Sequence, residues 1–288
     1  MVCHETEYRY SEPVSFGRHR MMFRPRDSHS LRVLATSLTI SPEPTSIKWI
    51  YDAFGNSIAY AEFGAQQATT LRFVSTLKLH HYETPQPMGL LDPAAARYPF
   101  AYSECELPNL SPLIRMQRPD PAGRITAWAT AVVGRARSST HAILSEMMVA
   151  IRRDVRYRRR FQSGTQDPAV TLTLGTGTCR DFALLMIEAL RSLGFAARFV
   201  SGYIYNPHRL NYVGGGATHA WVQVYLPGCG WIDLDPTNGI FGNRDLIRVG
   251  VARDHAQALP LSGTYCGRRG AYLGMSVSVS VTQGENHD

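Results

Sequence analysis

The sequence lacks any run of about 18 consecutive apolar residues, the length a helix needs to cross roughly 30 Å of hydrocarbon, so no helical membrane span is expected. Its opening stretch, MVCHETEYRYSEPVSFGRHR, is polar and mixed in charge, without the apolar segment of a secretory signal. The five cysteines (Cys3, Cys105, Cys179, Cys229, Cys266) include no CxxC pair, are odd in number and are widely scattered. Neither a disulfide framework nor a zinc site of closely spaced thiolates is indicated. His80-His81 has no acidic or thiol companions nearby, and nothing has the pattern of a calcium loop, so no metal or cofactor is expected. These absences together point to a reducing, cytoplasmic setting.

Charged residues are few, at 18%, and the basic ones prevail, giving a formal charge of +7 and a pI near 9.3. Much of the excess sits in Arg152-Arg153-Asp154-Val155-Arg156-Tyr157-Arg158-Arg159-Arg160. Such a run can attract an acidic partner. No nucleic-acid motif accompanies it, however, and a solvated helix end accounts for it better.

What is present suits a globular chain: 44% apolar residues over a length of 288, enough for one large domain or two ordinary ones. Residues 1–85 read as strands and turns. Leu71, Phe73, Leu77 and Leu79 fall on one face at period two, and Ile47 to Tyr51 and Ile58 to Phe63 flank the turn Asp52-Ala53-Phe54-Gly55-Asn56 as a hairpin. A sandwich-like antiparallel N-terminal domain is expected. Residues 86–123 are rich in proline, which interrupts helix and central strand alike, and read as a linker with room for a short helix. Residues 124–288 form the second part, helical at first and closing on a Ser/Val alternation at 276–281 that suggests a last strand.

The chemistry concentrates after residue 171. Phe182, Leu185, Met186, Ala189, Leu190 and Leu193 make one apolar stripe of an amphipathic helix, with Gly194 placed to end it. Cys179 lies in the first turn, after the glycine-containing Gly175-Thr176-Gly177-Thr178. A helix start carries roughly half a positive charge and free N–H groups. A thiol there, beside a cationic His, can fall from about 8.5 to between roughly 3.5 and 7.5 in pKa, and the N–H groups can hold an oxyanion.

Further on, the stretch from Thr218 to Leu226 reads as a strand entered at His219. Alternation puts His219, Trp221, Gln223 and Tyr225 on one face, and turns Ala220, Val222, Val224 and Leu226 to the core. Pro227-Gly228-Cys229-Gly230 turns the chain into Trp231-Ile232-Asp233-Leu234-Asp235. An antiparallel return brings Asp235 back beside His219, where a carboxylate can fix one imidazole nitrogen and leave the other for the thiol proton. Asp233 shares the strand face and competes for this role. Arg180 and Asp181 read as a pair locking the helix start, with Asp181 pointing away from Cys179 or held by an arginine. Trp221 and Trp231 either wall a pocket or pack on the sheet. Gly214, Gly215 and Gly216 read as a flexible lip over the site.

Four blocks in order carry a resemblance: Gly177-Thr178-Cys179-Arg180-Asp181-Phe182-Ala183, Arg198-Phe199-Val200-Ser201-Gly202-Tyr203, His219-Ala220-Trp221 and Gly230 to Thr237. Over roughly residues 125–240 the chain resembles the bacterial transglutaminase-like superfamily of cysteine proteases. Tyr8-Arg9-Tyr10, Pro25-Arg26 and the 52–56 turn resemble the β-rich domain that precedes the core in that family. The resemblance implies an α+β, papain-like core in which a Cys-bearing helix packs on an antiparallel sheet. It also implies a Cys179–His219–Asp235 triad, with the Asp-Pro-Thr block favouring Asp235 over Asp233. One departure is Gln223, where many relatives carry an acidic residue. The implied activity is acyl transfer through a thioester on a peptide or protein substrate, with hydrolysis expected by analogy. Transamidation to a primary amine and a catalytically silent binding module on the same fold are the alternatives.

Overall fold

The computed structural model describes residues 1–84, 87–136, 139–160, 164–205 and 216–284. In chain order the first elements are β1 (Val2–Met21), β2 (Leu31–Ser41), β3 (Ser46–Tyr51), β4 (Ser57–Glu62) and β5 (Gln67–His81). A helical stretch follows, with α1 (Leu107–Ile114), α2 (Arg124–Arg135), α3 (Thr140–Asp154), the short β6 (Arg156–Tyr157), α4 (Pro168–Leu174), β7 (Thr176–Gly177) and α5 (Cys179–Ser192). The chain closes with β8 (Ala197–Ile204), β9 (His219–Leu226), β10 (Gly230–Asp235), β11 (Ile240–Phe241), β12 (Leu246–Ala252), β13 (Leu261–Cys266) and β14 (Tyr272–Val281). None of the described helices is long and apolar enough to cross a membrane.

The fold is α+β, with a strand-rich N-terminal region ahead of a mixed core. The first sheet runs β2-β5-β1-β4-β3, and β13 and β14 also pair with β1. Leu71, Phe73 and Leu77 of β5 are buried against Tyr10, Phe16 and Met21 of β1 or the core beneath, as their period-two spacing requires. The 52–56 turn closes the β3–β4 hairpin with Tyr51 opposite Ser57, and Gly55 takes the positive φ of 74° that the turn needs.

The division at residues 85 and 123 groups residues 261–281 with the second part, yet these strands complete the first sheet. β14 runs along Val2 to Tyr10 and β13 along Ser15 to Met21. Alternation reveals a strand but not its partner, which here lies some 270 residues away in sequence. The proline-rich passage is likewise more than a connector. Its α1 buries Leu110, and the backbone N–H groups of Gln117 and Arg118 donate to Glu188 of α5 at 2.8 and 3.0 Å. Glu188 is itself paired with Arg191 at 2.7 Å, and both side chains are buried.

The second sheet is antiparallel in the order β11-β10-β9-β8-β12. Helix α5 packs on one face through Phe182, Leu185, Met186, Ala189 and Leu190, each at most 2% exposed. Burying each of the larger side chains contributes about 1.5–3 kcal/mol. The helix ends as the glycine foretells: Gly194 has φ 86°, its N–H donates to Arg191 O, and the N–H of Phe195 reaches back to Leu190 O. This six-to-one and five-to-two pattern satisfies carbonyls that the helix end would leave bare. The other sheet face is covered too. Val200, Trp221, Ile240, Leu246 and Val251 cluster there under Phe54 of the N-terminal hairpin. The face bearing His219 and Trp221 is therefore buried rather than turned away from the core, because the first domain supplies a second cover.

Candidate active site

The chain enters α5 through a tightly held approach. β7 lies parallel to β6, and the Arg158 N–H donates to Gly177 O at 2.8 Å. A Cβ at Gly177 would come within 2.9 Å of Asp181 Cβ, so the position needs glycine for close approach rather than for its φ. Asp181, with its side chain fully buried, accepts the Thr178 N–H at 2.8 Å and the Thr178 hydroxyl at 2.9 Å. It also accepts the Gln166 N–H at 2.6 Å and two bonds of 2.9 Å from Arg160. The carboxylate is thus engaged with an arginine, but the arginine is Arg160 and not Arg180.

Cys179 is the first residue of α5 and is 6% exposed. Its N–H and that of Arg180 have no acceptor inside the helix, as in any first turn. His219 opens β9 opposite Gly202 of β8, and Asp235 ends β10. Both side chains are fully buried. Imidazole Nε2 donates to Asp235 Oδ2 at 2.8 Å, while Nδ1 is buried and, among the described residues, has no hydrogen-bond partner. Besides Asp235, Cys179 is the group that most favours the charged form of that ring. Asp235 is fixed in turn by the Thr237 N–H on Oδ1 at 2.9 Å and by Asn238 Nδ2 on Oδ2 at 2.8 Å. The turn after it closes through the Gly239 N–H on Asp235 O, with Gly239 at φ 72°.

Electrostatics follow from this packing. Burial opposes ionisation of Cys179, but hydrogen bonding and charge from His219, with Arg180 adding to them, hold the thiol below the ordinary cysteine range. Burial likewise opposes a charged His219, yet Asp235 and Cys179 together push it up to about 10. Asp235 is kept below the usual carboxylate range against its own burial, chiefly by His219. The arrangement shifts the balance from a neutral thiol and imidazole towards a thiolate–imidazolium pair.

The remaining expected residues divide. Trp221 is fully buried, stacks on His219 with centroids 5.9 Å apart, and donates Nε1 to Asp233 at 2.7 Å. Asp233 also accepts from Gln223 at 2.9 Å and makes no hydrogen bond to His219. Trp231 lies under the Arg198 guanidinium at 3.8 Å and edge-on to Tyr225. Arg180 is half-buried, with Nη1 enclosed and without a hydrogen-bond partner among the described residues, and its charge is felt by Cys179. Gly216 has φ 82° and its carbonyl accepts the Val279 N–H of β14 at 3.0 Å; Gly214 and Gly215 lie outside the described residues. Sequence reasoning missed Arg160 and Asn238. The first was hidden inside a basic run read as solvated. The second stood in Asp235-Pro236-Thr237-Asn238, whose turn chemistry is a signal that side chains there bond back to the Asp.

Comparison with known proteins fits this geometry. Residues 1–79 match the bacterial transglutaminase-like N-terminal region and residues 126–236 the transglutaminase-like superfamily. The uncharacterized protein Rv2569c of Mycobacterium tuberculosis is 30% identical over 99% of this chain and 93% of its own length. The uncharacterized protein ML0607 of Mycobacterium leprae is 29% identical, over 97% of each chain. Among solved structures, a candidate cysteine protease from Cytophaga hutchinsonii shares the fold with a TM-score of 0.68 at 18% identity, over 99% of this chain and 91% of that one. The chain belongs to the transglutaminase-like superfamily, with that family's bacterial N-terminal region ahead of the core.

Proposed function

We propose that the protein is a cysteine-dependent acyl-transfer enzyme in which Cys179 is the nucleophile, His219 the acid and base, and Asp235 the carboxylate that orients the imidazole. The observation that carries this reading is the His219 ring, bonded through Nε2 to Asp235 and leaving Nδ1 for the thiol. The Cys179 thiolate attacks an amide carbonyl carbon, and the helix-start N–H groups of Cys179 and Arg180 receive the oxyanion. The C–N bond then breaks as Nδ1–H gives its proton to the leaving amine, and a thioester remains. Water, deprotonated by the now neutral Nδ1, attacks the thioester, releasing a carboxylic acid and the thiolate. We read the substrate as a peptide or protein amide and hydrolysis as the outcome, on family analogy. The scattered thiols support a reducing, cytoplasmic setting.

Alkylation by iodoacetamide, followed by mass spectrometry, tests the nucleophile. At about pH 6 to 7, Cys179 is expected to react faster than the exposed Cys105 and Cys266, and to lose that advantage in His219→Ala. Equal rates at all three thiols would end the proposal. Incubation with casein and a fluorescent primary amine then separates the fates of the thioester: new α-amino groups report hydrolysis, and amine incorporation reports transamidation.

A further inference from the structure

Four residues along β9 from His219, about 13 Å at roughly 3.3 Å per residue, the same sheet face opens into a cleft of about 560 Å³. Arg198, Gln223, Trp231, Asp233 and Arg248 line it, with Thr84 of the N-terminal region at its margin. Its cations are under-compensated. Arg198 gives Nε to Gln223 Oε1 at 2.9 Å and sits over the Trp231 ring at 3.8 Å, a neutral amide and a neutral ring. Among the described residues, neither its two terminal nitrogens nor any nitrogen of Arg248 meets a carboxylate within salt-bridge distance. Asp233 also lines the cleft, but its Oδ1 is occupied by Trp221 and Gln223, so it acts on the two arginines only through space. Burial, and then the charge of Arg248, draw Arg198 down to about 9, which leaves it charged at neutral pH.

Two guanidinium groups face one carboxyl group that burial pushes above the usual carboxylate range, so the half-buried cleft keeps at least one positive charge, and solvent screens it less than at an open surface. An anion offsets that charge. The planar fork of a guanidinium matches a carboxylate with two parallel hydrogen bonds. Trp231 gives the organic part of such a ligand an apolar wall. We propose that this cleft is a binding site for a carboxylate-bearing ligand, held by Arg198 and Arg248. The proposal is independent of the role given to Cys179.

Calorimetry on the full chain carrying Cys179→Ala tests it, with hippurate as the acid and hippuramide as its neutral counterpart. Hippurate is expected to bind at one site, and the amide at least tenfold more weakly. Arg248→Gln should weaken hippurate by at least tenfold. The Arg248 side chain makes no hydrogen bond among the described residues, so this variant is expected to keep the fold and carries the test even if Arg198→Gln melts early. Arg198→Gln, where it folds, should show the same loss. Equal binding of acid and amide, undiminished binding in Arg248→Gln, no heat at about 10 mM hippurate, or tighter binding of inorganic phosphate than of hippurate would each overturn the proposal.

Discussion

Arg160 clasps Asp181 through two hydrogen bonds of 2.9 Å, Nε to Oδ2 and Nη2 to Oδ1, two residues past Cys179 in the first turn of α5. The Asp181 side chain is fully buried and that of Arg160 is 16% exposed, so removing the arginine strands a carboxylate away from water. Arg160→Ala is expected to cost about 3–5 kcal/mol, the usual effect of breaking a buried pair from one side. Urea unfolding measures it. Arg160→Lys should recover less than half of that loss, because an ammonium cannot supply the two parallel bonds. A loss below about 1 kcal/mol in Arg160→Ala would mean that the backbone donors from Gln166 and Thr178 alone satisfy Asp181.

Asp235 and Asp233 share a strand face, yet only Asp235 bonds the imidazole. Asp235→Asn is expected to lower kcat/KM by about 10²–10⁴-fold, since an amide can stabilise neither the tautomer nor the imidazolium that forms. Asp233→Asn should change it by less than about tenfold, as its amide oxygen can still accept from Trp221 and Gln223. Peptide or casein hydrolysis by the two purified variants decides the matter. The opposite order would give the orienting role to Asp233.

Those two carboxylates mark where the sequence stops being sufficient. Period two places both on one face, but which one meets His219 depends on hairpin register, and the register sets Asp233 opposite Gln223. The α5 stripe and its Gly194 stop were readable because helical spacing and a left-handed glycine are local signals. Arg160 was not, because nothing local distinguishes it from Arg158 or Arg159; its partner lies 21 residues away. The buried setting of His219 was not readable either. The sheet face that it shares with Trp221 is covered by a cluster that Phe54 joins from a hairpin more than 160 residues upstream.

The thiol is held below its ordinary range and the imidazole is raised to about 10, so between those limits Cys179 is a thiolate and His219 a cation. As pH falls through the lowered thiol value, the thiolate is protonated and both alkylation and acyl transfer should decline. As pH rises past about 10, His219 loses the proton needed by the leaving amine, so acyl transfer should fall while alkylation does not. A bell-shaped kcat/KM beside a sigmoidal alkylation profile is the expected pair of curves. Both inflections belong to the coupled pair rather than to either residue. Two profiles that fall together on the alkaline side would argue against His219 as the proton donor.

The two ends of the chain meet in one sheet, and this has a consequence at the site. Val279 pairs with His4 in the β14–β1 ladder, while its N–H donates outward to Gly216 O, three residues before His219. Deleting residues 261–288 would uncover β1 along Val2 to Tyr10 and Ser15 to Met21, leaving a long unpaired edge with buried apolar side chains. Such edges recruit other chains, so the shortened protein is expected to elute as aggregate in size-exclusion chromatography. Val279→Pro is the finer probe. Its missing N–H faces Gly216 rather than β1, so the ladder should survive while the approach to His219 loses its tie. We expect the variant to stay monodisperse yet lose kcat/KM by about tenfold, because misplacing a catalytic group slightly is costly to rate. A monodisperse variant with full activity would show that β14 braces the first sheet alone and contributes nothing to the placement of His219.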